Sequence, residues 1–230
     1  TDSLSSRLLD QSQKEGSKKL TLSQIVLITS FQIGLNAIWN STLLISVPYD
    51  IKELFPDKPA LVLGIVIATS SAFTLLNPVI GYHSDRCTSP MGRRRPYIFL
   101  GVMLMVLGGL VSWIASYRSL ALSWLYIIGF MILQAGIIVA NTAFNALLPD
   151  IVEDSQRGTA SAVFGLLGLV GSAIGFVICG IALPVEDTST SYLALVGLVV
   201  LTSAISILSS KEIPLSQWQT VQEEPLTFRS

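Results

Sequence analysis

The sequence predicts an all-α integral membrane protein with six transmembrane helices, and three observations carry that reading. The 230 residues are 51% hydrophobic and 13% charged, with a mean hydropathy of +0.64, whereas a soluble domain carries about 25% charged residues. Asp, Glu, Lys and Arg are absent from six stretches, 20–47, 60–81, 96–117, 119–149, 159–185 and 188–210. Each is longer than the roughly 20 residues a helix needs to cross about 30 Å of hydrocarbon. Finally, the apolar runs are continuous. A membrane barrel would instead alternate polarity in strands of about ten residues, and in lipid a lone segment satisfies its own backbone only as a helix. A soluble bundle is excluded because six such helices would need polar faces to cover them.

The elements follow in order. Residues 1–20 are polar and Ser-rich and read as a disordered tail. The bundle, residues 21–210, holds spans at 22–47, 60–82, 97–117, 121–148, 160–183 and 191–209. Residues 211–230 form a second polar tail or the start of an interdomain linker. The connections 48–59, 118–120 and 184–190 are short, so neighbouring spans run antiparallel. No secretory signal is expected, since the first span serves as its own insertion signal.

Lysines and arginines set the orientation. One side receives Arg7, Lys14, Lys18, Lys19, Arg86, Arg93, Arg94, Arg95, Arg157, Lys211 and Arg229, and the other Lys52, Lys58 and Arg118. Eleven against three places both termini and the 83–96 loop in the cytoplasm. Cys87 then lies in that loop and Cys179 near the opposite end of span five, so no disulfide is expected between them.

Polar residues within the spans fall into stripes. Gln32, Asn36 and Asn40 recur at i, i+4 and i+8 of span one, and Gln134, Asn141 and Asn145 at i, i+7 and i+11 of span four. Amides are costly against lipid, so both stripes should face the bundle interior or a water-filled cavity. Knitting the helices together by hydrogen bonds is the bland alternative for any one of them. Asn40-Ser41-Thr42 has the form of a glycosylation acceptor but lies inside a span. Span five carries Gly165, Gly168, Gly171, Gly175 and Gly180, a spacing suited to close helix approach. Trp39, Trp113 and Trp124 read as interfacial anchors or packing residues.

The densest positive charge lies in GYHSDRCTSPMGRRRPYIFLG, residues 81–101. Topology accounts for arginines here but not for Asp85, because acids contribute little to orientation. The pattern G-x-x-S-D-R followed by G-R-R-R resembles the loop between spans two and three of the major facilitator superfamily. With CTSPM between its two parts, it is similar to the branch of sucrose transporters and related glycoside–cation symporters. ALLPDIVEDSQRGTASAVFGLLGLVGSAIG, residues 146–175, resembles the same family's exit from span four into a small-residue-rich span five.

The resemblance implies the N-terminal half of a twelve-span major facilitator fold, with its six helices arranged as a 3+3 repeat. It also implies a carrier working by alternating access, and a partner in a missing C-terminal six-span half or a second six-span chain. The loop would be a cytoplasmic gate built on Gly81, Asp85, Arg86, Gly92, Arg93, Arg94 and Arg95, with Asp150 and Arg157 in the same charge cluster. Its ion pairs would form when that side closes and break when the halves rock apart.

In the branch resembled, span four carries an acid that binds a proton, and here Gln134 stands at that position. Asn145 stands where the branch often has Arg. No other Asp, Glu, His or Lys falls deep in the six spans as bounded above. Proton coupling through this half is therefore not expected, and the coupling ion stays open. Antiporters of the superfamily often carry a Gly-Pro pair deep in span five, whereas Pro184 comes only at its end.

Neutral amides suit a neutral polyhydroxylated solute, since they donate and accept without demanding a counter-charge. The reading is a carrier for a sugar or glycoside lying in a lipid bilayer, with no enzyme activity, cofactor, metal or nucleic-acid partner. A carrier for a non-sugar solute and a non-transporting six-span sensor or subunit remain as alternatives.

Overall fold

α1, Leu22–Leu54, opens with a capping box: the Thr21 side chain accepts from Gln24 N while the Gln24 side chain accepts from Thr21 N. In the computed structural model, which describes residues 20–87, 89, 92–115, 123–182 and 188–209, five more helices follow. They are α2 (Pro59–Asp85), α3 (Arg95–Ala115), α4 (Ser123–Ile151), α5 (Arg157–Ala182) and α6 (Thr188–Ser209). All six are long and apolar enough to cross a membrane, as the charge-free stretches predict. Both predicted tails, apart from Leu20, lie outside the described residues, as do Arg118 and Pro184 in two of the connections.

Successive helices run antiparallel. One end, here the loop end, gathers the start of α1, the α2–α3 loop and the α4–α5 turn. The opposite end gathers Leu54, Pro59, Ala115, Ser123 and Thr188. The principal packings are α3 on α4, α1 on α5, α1 on α6, α3 on α6 and α2 on α4. Exchanging α1 with α4, α2 with α5 and α3 with α6 maps this set onto itself. Because α1 starts at the loop end and α4 at the opposite end, the exchange turns the molecule over. The body is thus an inverted 3+3 repeat.

The first helix is longer than its charge-free stretch. Pro48 should stop or kink it, for want of an N–H. Instead Thr42–Ser46 forms a π turn in which Val47 N bonds to Thr42 O, and Pro48 opens the next helical segment at a position where an N–H is dispensable. The helix then runs on to Leu54. The expected loop over 48–59 shrinks to 55–58, and Asp50 becomes a buried helix residue at 4% exposure. The added turns take in Asp50, Lys52 and Glu53 near the end of the helix rather than deep in the span.

Between lipid-facing helices, apolar contact yields no solvent gain, and close approach has to supply the attraction. Close backbone approach joins α3 and α4. A methyl at Gly136 would lie 2.6 Å from Met105 N, and one at Gly101 2.7 Å from Gly136 O. Gly108 meets the Leu133 and Gly129 backbone in the same way. In α5, Gly171 and Gly175 abut the backbones of Ile33 and Ala37, as the small-residue spacing predicts, while Gly165 and Gly180 have no described neighbour within 4 Å. Phe31, Ile38, Met105, Phe130, Leu133, Ile137 and Val199 fill the centre.

α2 and α5 stand apart from the others. Their most apolar windows are only 11% and 22% buried, against 44–56% for the rest. These two helices present most of their surface beyond the six-helix body.

Candidate functional site

The amide stripe of α1 faces α5 across a groove of about 410 Å³, lined by Gln32, Asn36, Asn40, Phe164, Gly168 and Ser172 among others. The glycine-backed contact brings the helices close enough for Asn40 Nδ2 to donate to Ser172 Oγ at 2.9 Å. Asn40 Nδ2 also lies 3.2 Å from Asn36 O, and Asn36 Nδ2 donates to Gln32 O at 3.1 Å. The Gln32 side chain is 9% exposed, and its Oε1 has no partner among the described residues. A buried carbonyl oxygen without a donor costs about 1–3 kcal/mol.

The α4 stripe divides. Gln134 is 2% exposed and its Oε1 lacks a described partner, but it lies inside the packed face of the helix and does not line the groove. Asn145 Nδ2 donates to Asn141 Oδ1 at 3.2 Å. Asn145 also lines a second hollow of about 280 Å³ with Arg157, Ser161 and Phe164. Phe164 borders both hollows. It stacks on Phe144, centroids 5.8 Å apart, and Phe144 meets Phe31 edge-on at 5.1 Å. Such a ring offers an apolar face beside the amides. Phe164 carries no signal in the sequence, because an aromatic in an apolar span reads as core.

At the loop end, Gly92 adopts φ 106°, left-handed backbone that favours glycine, and so turns the chain into α3. The turn delivers Arg94 between two acids: Nη1 lies 2.9 Å from Asp85 Oδ1 and Nε 2.6 Å from Asp150 Oδ2. Arg93 reaches the same Asp150 oxygen at 2.6 Å. Asp85 is the last residue of α2, and α4 runs past Pro149 to place Asp150 on its final turn. The cluster therefore pins three helix ends. Arg94 is 7% exposed, while the Asp85 side chain remains 52% exposed.

Other loop-end candidates lie apart. Arg157 pairs with Asp154 at 2.8 Å and donates to Pro149 O at 3.4 Å, beside the cluster rather than within it. Arg86 folds back over the Tyr82 ring, 4.0 Å from its centroid. Arg95 is half-buried at the head of α3. Gly81 has no described neighbour within 4 Å.

The opposite end holds a group the sequence reading missed. Tyr192 Oη of α6 donates to Asp50 Oδ2 at 2.9 Å and lies 2.7 Å from Tyr126 Oη of α4. Both tyrosines are fully buried. Ser46 Oγ and Cys179 Sγ sit 3.5 Å apart on α1 and α5, far from Cys87 in the loop. Among the described residues no His, Cys, Asp or Glu cluster has metal-binding form.

Six apolar helices in an inverted repeat, with amides at membrane depth, define a multi-pass integral membrane protein. Residues 25–227 match the family model of the Major Facilitator Superfamily, and the chain belongs to that superfamily. It is similar to the sucrose transport protein SUC4 of Arabidopsis thaliana, with 26% identity over 86% of this chain and 44% of the relative. It is also similar to SUC3 of Arabidopsis thaliana (29%, over 70% of this chain and 30% of the relative) and to SUT1 of Oryza sativa subsp. japonica (25%, over 70% and 33%). The chain spans less than half the length of these relatives.

Proposed function

We propose that this chain is the N-terminal half of a carrier that moves a neutral polyhydroxylated solute, a sugar or glycoside, across a membrane by alternating access. The observation that carries the reading is the α1–α5 groove, lined by Gln32, Asn36, Asn40 and Ser172 beside Phe164. Its polar groups are neutral amides and a hydroxyl, which serve sugar hydroxyls as donors and acceptors. Similarity to sucrose transport proteins supports the same solute class. Nothing in the groove has the acid–base or nucleophile geometry of an enzyme.

Both termini and the α2–α3 loop are assigned to the cytoplasm from the charge asymmetry. The Arg94 cluster would act as the gate on that side. Asp85, half-exposed and held by one described ion pair, keeps capacity for a contact with the other half. Partly exposed pairs are worth about 0–1 kcal/mol each, small enough for the gated states to exchange. Coupling to protons is not assigned to Gln134, which does not titrate.

The test is uptake of a panel of labelled sugars and non-sugar solutes in cells expressing the protein as its gene encodes it. Uptake of at least one sugar is expected. Asp85→Asn and Arg94→Ala should lower its rate while surface expression stays largely intact. Failure of every sugar to enter or compete rejects the solute class, and normal rates in both variants reject the gate.

A further inference from the structure

α2 carries an amide that neither the groove nor the loop motif accounts for. Asn77 sits at membrane depth, where the 3₁₀ turn Phe73–Leu76 passes into the last segment of the helix, Asn77–Asp85. Its side chain is exposed. Thr142 Oγ1 of α4 lies 2.8 Å from Asn77 Oδ1 and 2.8 Å from its own Ile138 O. One hydroxyl proton serves one of these acceptors at a time. Asn77 Nδ2 has no acceptor among the described residues. An amide in this state is costly against hydrocarbon, so its surroundings are water or polar groups rather than lipid tails.

The inverted repeat says what this position corresponds to. Exchanging α1 with α4 and α5 with α2 carries the Asn40–Ser172 contact onto the helix pair that holds Thr142 and Asn77. Depth along the helices agrees. Asn40 in α1 matches Asn141 and Thr142 in α4, and Gln32 matches Gln134. Asn141 and Asn145 stand on α4 beside this contact, with Asn145 exposed.

We propose that Asn77 is a solute-binding residue on a second polar wall, formed by α2 and α4, that faces the same passage as the α1–α5 groove. The assignment rests on the carrier reading above and adds to it a residue from α2. With Oδ1 engaged by Thr142, its Nδ2 is the donor presented to a sugar hydroxyl. The two walls then offer related polar groups from opposite-running repeats, suited to a solute with hydroxyls on both edges.

Two measurements test it in the protein as its gene encodes it, with Cys87 and Cys179 of this segment replaced by Ser. Asn77→Cys is expected to react with a membrane-impermeant methanethiosulfonate reagent about tenfold faster than Leu75→Cys, whose side chain is exposed on the same helix. The transported sugar is expected to slow that reaction. In uptake assays, Asn77→Ala should raise the half-saturation concentration about tenfold, the loss expected for one hydrogen bond, with maximal rate within about twofold. Asn77→Gln, which keeps the donor, should recover most of the affinity, and Leu75→Ala should match the wild type. An unreactive Asn77→Cys overturns the proposal. So does wild-type affinity in Asn77→Ala while Asn40→Ala is impaired, a result that leaves the carrier reading intact. A reactive Asn77→Cys in a protein that moves no sugar supports the water-facing wall and rejects the sugar instead.

Discussion

Asp50 shows how one helical turn changes the meaning of a residue. By composition it belongs to a polar connection; in the fold it is buried against Tyr192. Tyr192→Phe removes one donor from a carboxylate that is 4% exposed, and should cost about 1–3 kcal/mol. Tyr126→Phe leaves the Tyr192–Asp50 bond in place and should cost about 1 kcal/mol or less. Thermal unfolding of the detergent-solubilised protein checks the order, and equal losses would mean that the tyrosine pair, not the carboxylate bond, is what matters. The contrast with Gln134 is instructive. The sequence marks both glutamines as polar at membrane depth, and the spacing cannot say that Gln32 borders a groove whereas Gln134 is enclosed. That distinction is made by neighbouring helices, which no local pattern encodes.

At the scale of the element, hydropathy located all six helices, because length and apolarity are properties of a segment on its own. The boundaries were less legible. A charge-free stretch ends where the first charge appears, but a helix ends where its hydrogen bonds do. α1 runs on past Pro48 through a π turn, and α4 continues past Pro149 for a last half-turn. The glycines of α5 drew notice through their density, yet an equally close contact is made by Gly101, Gly108, Gly129 and Gly136, spaced seven apart within each helix. Gly136→Ala and Gly108→Ala, each forcing a methyl into backbone, should destabilise by about 1–3 kcal/mol. Gly165→Ala, with open space around it, should be neutral or gain up to about 1 kcal/mol in helix propensity. Melting curves in one detergent decide the point, and a stable Gly136→Ala would mean α3 and α4 are less closely joined than described.

For the whole molecule, orientation rests on charge counting and is open to a direct check. Cys87 is partly accessible at the loop end and Cys179 is buried at 2% exposure. An impermeant thiol reagent should therefore leave Cys87 unmodified in intact cells and label it once they are permeabilised, read by mass of the peptide carrying it. Labelling in intact cells would invert the topology. The loop motif itself was legible because its spacing is a local pattern. The clustering of Arg93 and Arg94 on Asp150, 57 and 56 residues further on, was readable only through the family resemblance.

The packing order also bears on how the chain is made. α3 and α4 are neighbours in sequence, so their glycine-lined contact can form as soon as both have left the ribosome. α1 packs on α5 and α6, which are synthesised after α2, α3 and α4. Until they arrive, its three amides wait in the bilayer without the wall that later covers them. A nascent chain halted after Ile151 would hold a finished hairpin and an unfinished first helix, and the quality-control machinery of the membrane would meet α1 before anything else.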